Sequence, residues 1–94
     1  MITPKTIISV ATGENTFAKM EGEMVIMGVN SGRYFSLNAV GARFWEIIQQ
    51  PASIEQAAAV ITAEFDVTRS VAEQDLAELA EQLVQAGLAT TAVS

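Results

Sequence analysis

The chain predicts an α+β domain in which a three-stranded antiparallel sheet is followed by a three-helix bundle. Two observations lead there. Up to Leu37, apolar and polar residues alternate in short runs broken by turn formers, which is the period of a strand. From Asn38 onward, apolar residues recur every third or fourth position in three successive stretches, which is the period of a helix face.

The first apolar run, Ile7, Ile8 and Val10, is closed by Thr12-Gly13-Glu14-Asn15. It reads as a short strand or, with the rest of residues 1–15, a flexible arm. A three-strand meander follows: Thr16 to Met20, the turn Glu21-Gly22, Met24 to Val29, the loop Asn30-Ser31-Gly32, and Arg33 to Leu37. The loop suits a three-residue hairpin connection in which Gly32 takes a positive φ, placing Val29 opposite Arg33.

Asn38 is an N-cap, and Val40, Phe44, Ile47 and Ile48 line one face of a helix over about 39–50, stopped by Pro51. Ser53-Ile54-Glu55-Gln56 reads as a capping box for a second helix over about 54–65, with Ile54, Ala57, Ala58, Ile61 and Phe65 as its stripe. Thr68 or Ser70 caps the third, and Ser70 with Glu73 makes another box. Its stripe is Ala72, Leu76, Leu79, Ala80 and Leu83; Gly87 fits the left-handed position past its end, and Leu88 is placed to touch Leu83. No repeat, low-complexity tract or linker divides the chain, so residues 1–94 are expected to form one domain.

Composition removes whole classes of chemistry. With neither cysteine nor histidine, the chain lacks thiolate and imidazole nucleophiles, the commonest general base and the commonest metal ligands. No catalytic residue, metal site or cofactor is therefore expected. Asp75 and Glu78 could pair as carboxylates, but on a helix also bearing Glu73 and Glu81 they read as a solvated face. The glycines show no phosphate-loop spacing. Through Trp45 four cations stand against three acids; beyond it Arg69 alone stands against eight. That acidic half would repel phosphates, so nucleic acid is not an expected partner. Met1-Ile2-Thr3-Pro4-Lys5 is unlike a secretory signal and no apolar run reaches membrane-spanning length, so a cytoplasmic protein with no membrane partner is expected.

The stretch Gly32-Arg33-Tyr34-Phe35-Ser36-Leu37-Asn38, then Val40-Gly41 and Trp45, then the acidic helical tail ending Leu83-Val84-Gln85-Ala86-Gly87-Leu88, resembles the PqqD-like family of leader-peptide recognition domains. The resemblance spans about Phe17 to Leu88. It implies a winged-helix-like, non-catalytic domain of ribosomal-peptide biosynthesis, a RiPP recognition element. Such a domain binds the leader segment of a precursor peptide as a strand added to the third meander strand and in a groove against the third helix. It then delivers the precursor to a modifying enzyme or leader protease. The "YFSLN" block is similar to the branch that includes stand-alone proteins of lasso-peptide clusters; members acting in pyrroloquinoline quinone synthesis tend to lack it.

The residues themselves point to the same place. The outer strands of a meander offer unpaired N–H and C=O groups to an extended chain. If Ile7 to Val10 shields the first, the third stays open, carrying Arg33, Tyr34, Phe35, Ser36 and Leu37. Leu37, Phe44 and Trp45 read chiefly as core, and Tyr34 as binding surface. Arg33 either pairs with an acidic leader or is simply solvated. Asp75, Glu78 and Gln82, flanking Leu79, either line the implied groove or face water. An open edge also fits pairing with a second copy of the chain. Two other functions suit the same elements: a winged-helix DNA-binding regulator, and a scaffold subunit bridging larger enzymes.

Overall fold

The computed structural model describes residues 2–11, 15–21, 23–28, 32 and 34–92. Its elements run β1 (Ile7–Val10), β2 (Asn15–Met20), β3 (Glu23–Gly28), β4 (Tyr34–Leu37), α1 (Ala39–Ile47), β5 (Ala52–Ser53), α2 (Ile54–Glu64), α3 (Arg69–Gln85) and β6 (Ala89–Ala92). The architecture is α+β, with the antiparallel meander β2-β3-β4 and three helices, and it is compatible with a winged-helix-like arrangement.

A second antiparallel sheet, ordered β5-β1-β6, corrects the reading of the N-terminal run. Instead of shielding β2, β1 pairs Ile7–Val10 with Ala89–Ala92 on one side and Ile7–Ile8 with Ala52–Ser53 on the other. Ile8 is fully buried there, which gives β1 a core position that the edge of the meander would not supply. The edge of β2 is consequently left uncovered by β1, like that of β4.

The hairpin register differs from expectation by one residue. A three-residue loop would put Gly28 opposite Tyr34; instead Met27 faces Tyr34, Ile26 faces Phe35 and Met24 faces Leu37. Gly32 does take the left-handed conformation, at φ 69°, and its N–H donates to the Gly28 carbonyl at 2.9 Å, closing a five-residue turn that needs a longer loop. Asn30, Ser31 and Arg33 lie outside the described residues. The slip decides which side chains meet: Leu37 and Phe35 share the face of the buried Met24 and Ile26, while Tyr34 and Ser36 share the opposite face with Met27 and Val25.

The α1 helix packs on the inner face of this sheet. Phe44 and Trp45 are buried, Phe17 of β2 meets the Trp45 ring edge-on at a centroid distance of 6.4 Å, and Lys19 Nζ sits 3.0 Å from Glu46 Oε2. Trp45 and Glu46 thereby tie α1 to β2. This helix ends at Ile47, earlier than Pro51 alone suggested, because Ile48 has already left the helical region at ψ 6°.

The helix caps explain the remaining layout. Asn38 Oδ1 accepts the Gly41 N–H at 2.9 Å. Ser53 and Gln56 form the reciprocal capping box. At α3 the cap is Thr68, whose hydroxyl accepts from Val71, and Glu73 is drawn instead to Arg69, 3.1 Å away one turn earlier; the anticipated Ser70–Glu73 box is replaced by this arrangement. Gly87, at φ 78°, ends α3 in a Schellman motif: Leu88 N–H donates to Leu83 O at 2.8 Å and Gly87 N–H to Val84 O at 3.0 Å. The chain then turns directly into β6. Among the described residues no helix is long and apolar enough to cross a membrane.

A candidate peptide groove between an edge strand and the third helix

The sheet ends at β4, which pairs with β3 and has no strand on its other side among the described residues. Beside that edge opens a cleft of about 370 Å³. Ser36 and Leu37 form one wall, the Asn38-capped start of α1 with Val40 and Gly41 forms the floor, and α3 forms the other wall. Ile61 of α2 and Val67 of the α2–α3 connection close the back. The walls stand where they do because Leu37 is pinned at the end of β4 by its pairing with Met24, and because Leu76 on α3 is buried in the core.

Along α3 the lining is a line of residues three or four apart: Ala72, Asp75, Leu76, Glu78, Leu79 and Gln82. Leu76 and Ala72 are buried beneath, Leu79 is half-buried, and Asp75, Glu78 and Gln82 are exposed at the rim. Neither rim carboxylate has an ion-pair partner among the described residues. Three of the described cations are engaged elsewhere: Lys19 by Glu46, Arg43 by Glu64 and Glu46, and Arg69 by Glu73 and the Glu55 carbonyl. The cleft is thus apolar at its base and negative along one lip.

Arg43 and Glu64 form the tightest of these pairs, with Nε to Oε1 at 2.8 Å and Nη2 to Oε2 at 3.0 Å. Hydrogen bonding to the Arg43 guanidinium holds the Glu64 carboxyl below its usual range, and Glu64 in turn raises Arg43. This fork ties α1 to α2, and neither residue belongs to the groove lining.

Of the residues singled out from the sequence, the structure brings Ser36, Leu37, Asp75, Glu78, Leu79 and Gln82 to the one cleft. Tyr34 and Phe35 lie on the same strand but outside its lining: Tyr34 is 69% exposed on the outer sheet face, and Phe35 packs beside the core. Arg33 falls outside the described residues. Sequence reasoning did not mark Asn38, Val40, Gly41 and Val67 as lining. Their capping or core signals carry no hint that they converge on β4.

An edge strand with no partner on its outer side among the described residues thus runs alongside an apolar cleft with a polar rim, an arrangement with the chemistry to receive an extended chain. The family model for coenzyme PQQ synthesis protein D (PqqD) matches residues 23–89, and the chain belongs to the PqqD family. Among solved structures it is similar to TbiB1 in complex with the TbiA(beta) leader peptide, with 28% identity, TM-score 0.76, and 86% of this chain and 93% of that one covered. It is likewise similar to a lasso peptide synthetase B1 complexed with the leader peptide, at 29% identity and TM-score 0.75, covering 88% and 96%. Comparison with curated proteins found no match.

Proposed function

We propose that this protein is a non-catalytic recognition element that binds the leader segment of a ribosomally synthesised precursor peptide and delivers it to a modifying enzyme or leader protease in the cytoplasm. The leader adds as a strand to β4 and seats an apolar side chain in the cleft against α3. One observation carries the reading: the cleft lies against the open edge of β4, so a single extended peptide satisfies main-chain groups and fills an apolar pocket at once. The two similar structures, each holding a leader peptide, support it. The absence of cysteine and histidine from the chain agrees with a binding role.

Asp75 and Glu78, without an ion-pair partner among the described residues, add a charge preference. They favour a leader with lysine or arginine next to its anchoring apolar residue, since an acidic leader would bring like charges together at the lip. The test is titration calorimetry of the purified protein with a synthetic leader from the precursor encoded beside its gene. Dissociation constants of roughly nanomolar to micromolar are expected, as strand addition supplies several hydrogen bonds and the cleft one anchor. No heat at any temperature, with no change in the amide NMR spectrum, would remove the proposal.

A further inference from the structure

Gly41 stands in the first turn of α1, where glycine is a poor choice for the helix itself. Its φ is not positive; among the described residues only Gly32 and Gly87 have that conformation. No backbone constraint therefore requires it. What sets this position apart is proximity. A Cβ at this position would lie 3.2 Å from Leu37 Cβ and 3.3 Å from Leu37 Cδ2, tighter than ordinary packing, and 3.4 Å from Leu79 Cδ2. Leu37 belongs to the strand wall of the cleft and Leu79 to the helix wall, and Gly41 lies on the floor between them. The missing side chain is the space into which both leucines reach.

We infer that Gly41 is a positioning residue that sets the size of leader side chain the cleft accepts. A methyl group here cannot enter without moving Leu37 by a few tenths of an ångström, and close-packed walls transmit such a shift. The methyl also occupies floor that a seated side chain would otherwise reach. This inference rests on the leader-binding reading above, and its test separates the two.

The anchor is first located as the leader residue whose alanine substitution costs the wild-type protein most affinity. Leaders carrying alanine, valine, leucine or phenylalanine at that position are then titrated against the wild type, Gly41→Ala and Leu79→Ala, with melting temperatures measured alongside. Gly41→Ala is expected to bind the large-anchor leaders about fivefold or more weakly and the alanine leader within about twofold of wild type, because a filled floor penalises volume. Leu79→Ala, which widens the same gap from the helix wall, should shift the preference the other way, toward the largest anchor; it decides the matter if Gly41→Ala does not fold. A uniform loss across all anchors, or a size profile unchanged in both variants, overturns the inference. Failure of the wild type to bind any leader overturns the leader-binding reading instead.

Discussion

Ser36 on β4 stands directly opposite Val25 on β3. The β2–β3 connection is two residues long, since Met20 faces Glu23, and such a loop closes on a hydrogen-bonded pair. Alternation from that pair makes Val25 exchange hydrogen bonds with Ala18 of β2, so Ser36 faces Val25 across a non-hydrogen-bonded position. The Ser36 N–H and C=O consequently point away from the sheet, toward the open side, whereas those of Phe35 and Leu37 point inward.

Replacing Ser36 by proline therefore removes an outward donor and places a ring in the path of an added strand, leaving the internal ladder intact. One hydrogen bond contributes about 0.5–1.5 kcal/mol and the clash adds to it, so leader affinity should fall roughly tenfold or more with little change in melting temperature. Phe35→Pro should instead break a ladder bond and unpack a ring beside the core, costing about 2–4 kcal/mol of stability. Calorimetric titration and thermal melts of both variants check the pair.

At the groove lip, the double variant Asp75→Asn, Glu78→Gln keeps the shape of the helix and removes two exposed negative charges. For a leader bearing lysine or arginine beside its anchor, affinity at low salt should fall about three- to thirtyfold, and the wild type's weakening with added salt should largely disappear. Titrations of both proteins at low and high salt give the comparison; identical salt dependence would remove the proposed charge preference.

Ser53→Ala should destabilise the fold without touching the groove. Ser53 is buried, and its hydroxyl accepts the Gln56 N–H at 3.1 Å in the capping box. Loss of such a cap costs about 1 kcal/mol, or a melting temperature lower by roughly 4–8 °C in a chain of this size. Leader affinity measured well below the melt should be unchanged.

The Arg43–Glu64 fork predicts a pH signature. Because the folded carboxyl of Glu64 titrates below its unfolded value, the stability it contributes is present above the ordinary carboxylate range and lost as pH falls through the folded value. Glu64→Gln should therefore melt slightly below wild type at neutral pH, the small gap reflecting an exposed pair, and the difference should close on the acid side of the carboxylate range. Melts across pH 7 down to about pH 3 test it.

How far the sequence reached follows the range of the interactions. Caps act over three or four residues, so Asn38, the Ser53–Gln56 box and the Gly87 stop were legible, as was the burial of Phe44 and Trp45. The β5-β1-β6 sheet was not: it joins Ile8 to Thr91 across nearly the whole chain, and β5 is only two residues long. The β3–β4 register slipped by one because Gly32 marks a left-handed position but not the length of the loop around it. At the groove, Ser36 and Leu79 were legible as edge and stripe. Gly41 was legible as a residue but not as a floor, since its role arises only where Leu37 and Leu79 converge.

The central claim, that an extended leader docks on the β4 edge against α3, is tested most directly by mapping amide NMR shifts and hydrogen-exchange protection during a leader titration. The account predicts that changes concentrate at Ser36 through Gly41 and at Asp75 through Gln82, that the Ser36 amide gains protection, and that Ala18 and Lys19 on the opposite edge and Thr90 and Thr91 on β6 stay unchanged. Changes confined to β2 or β6, with Ser36 still exchanging freely at saturation, would contradict it.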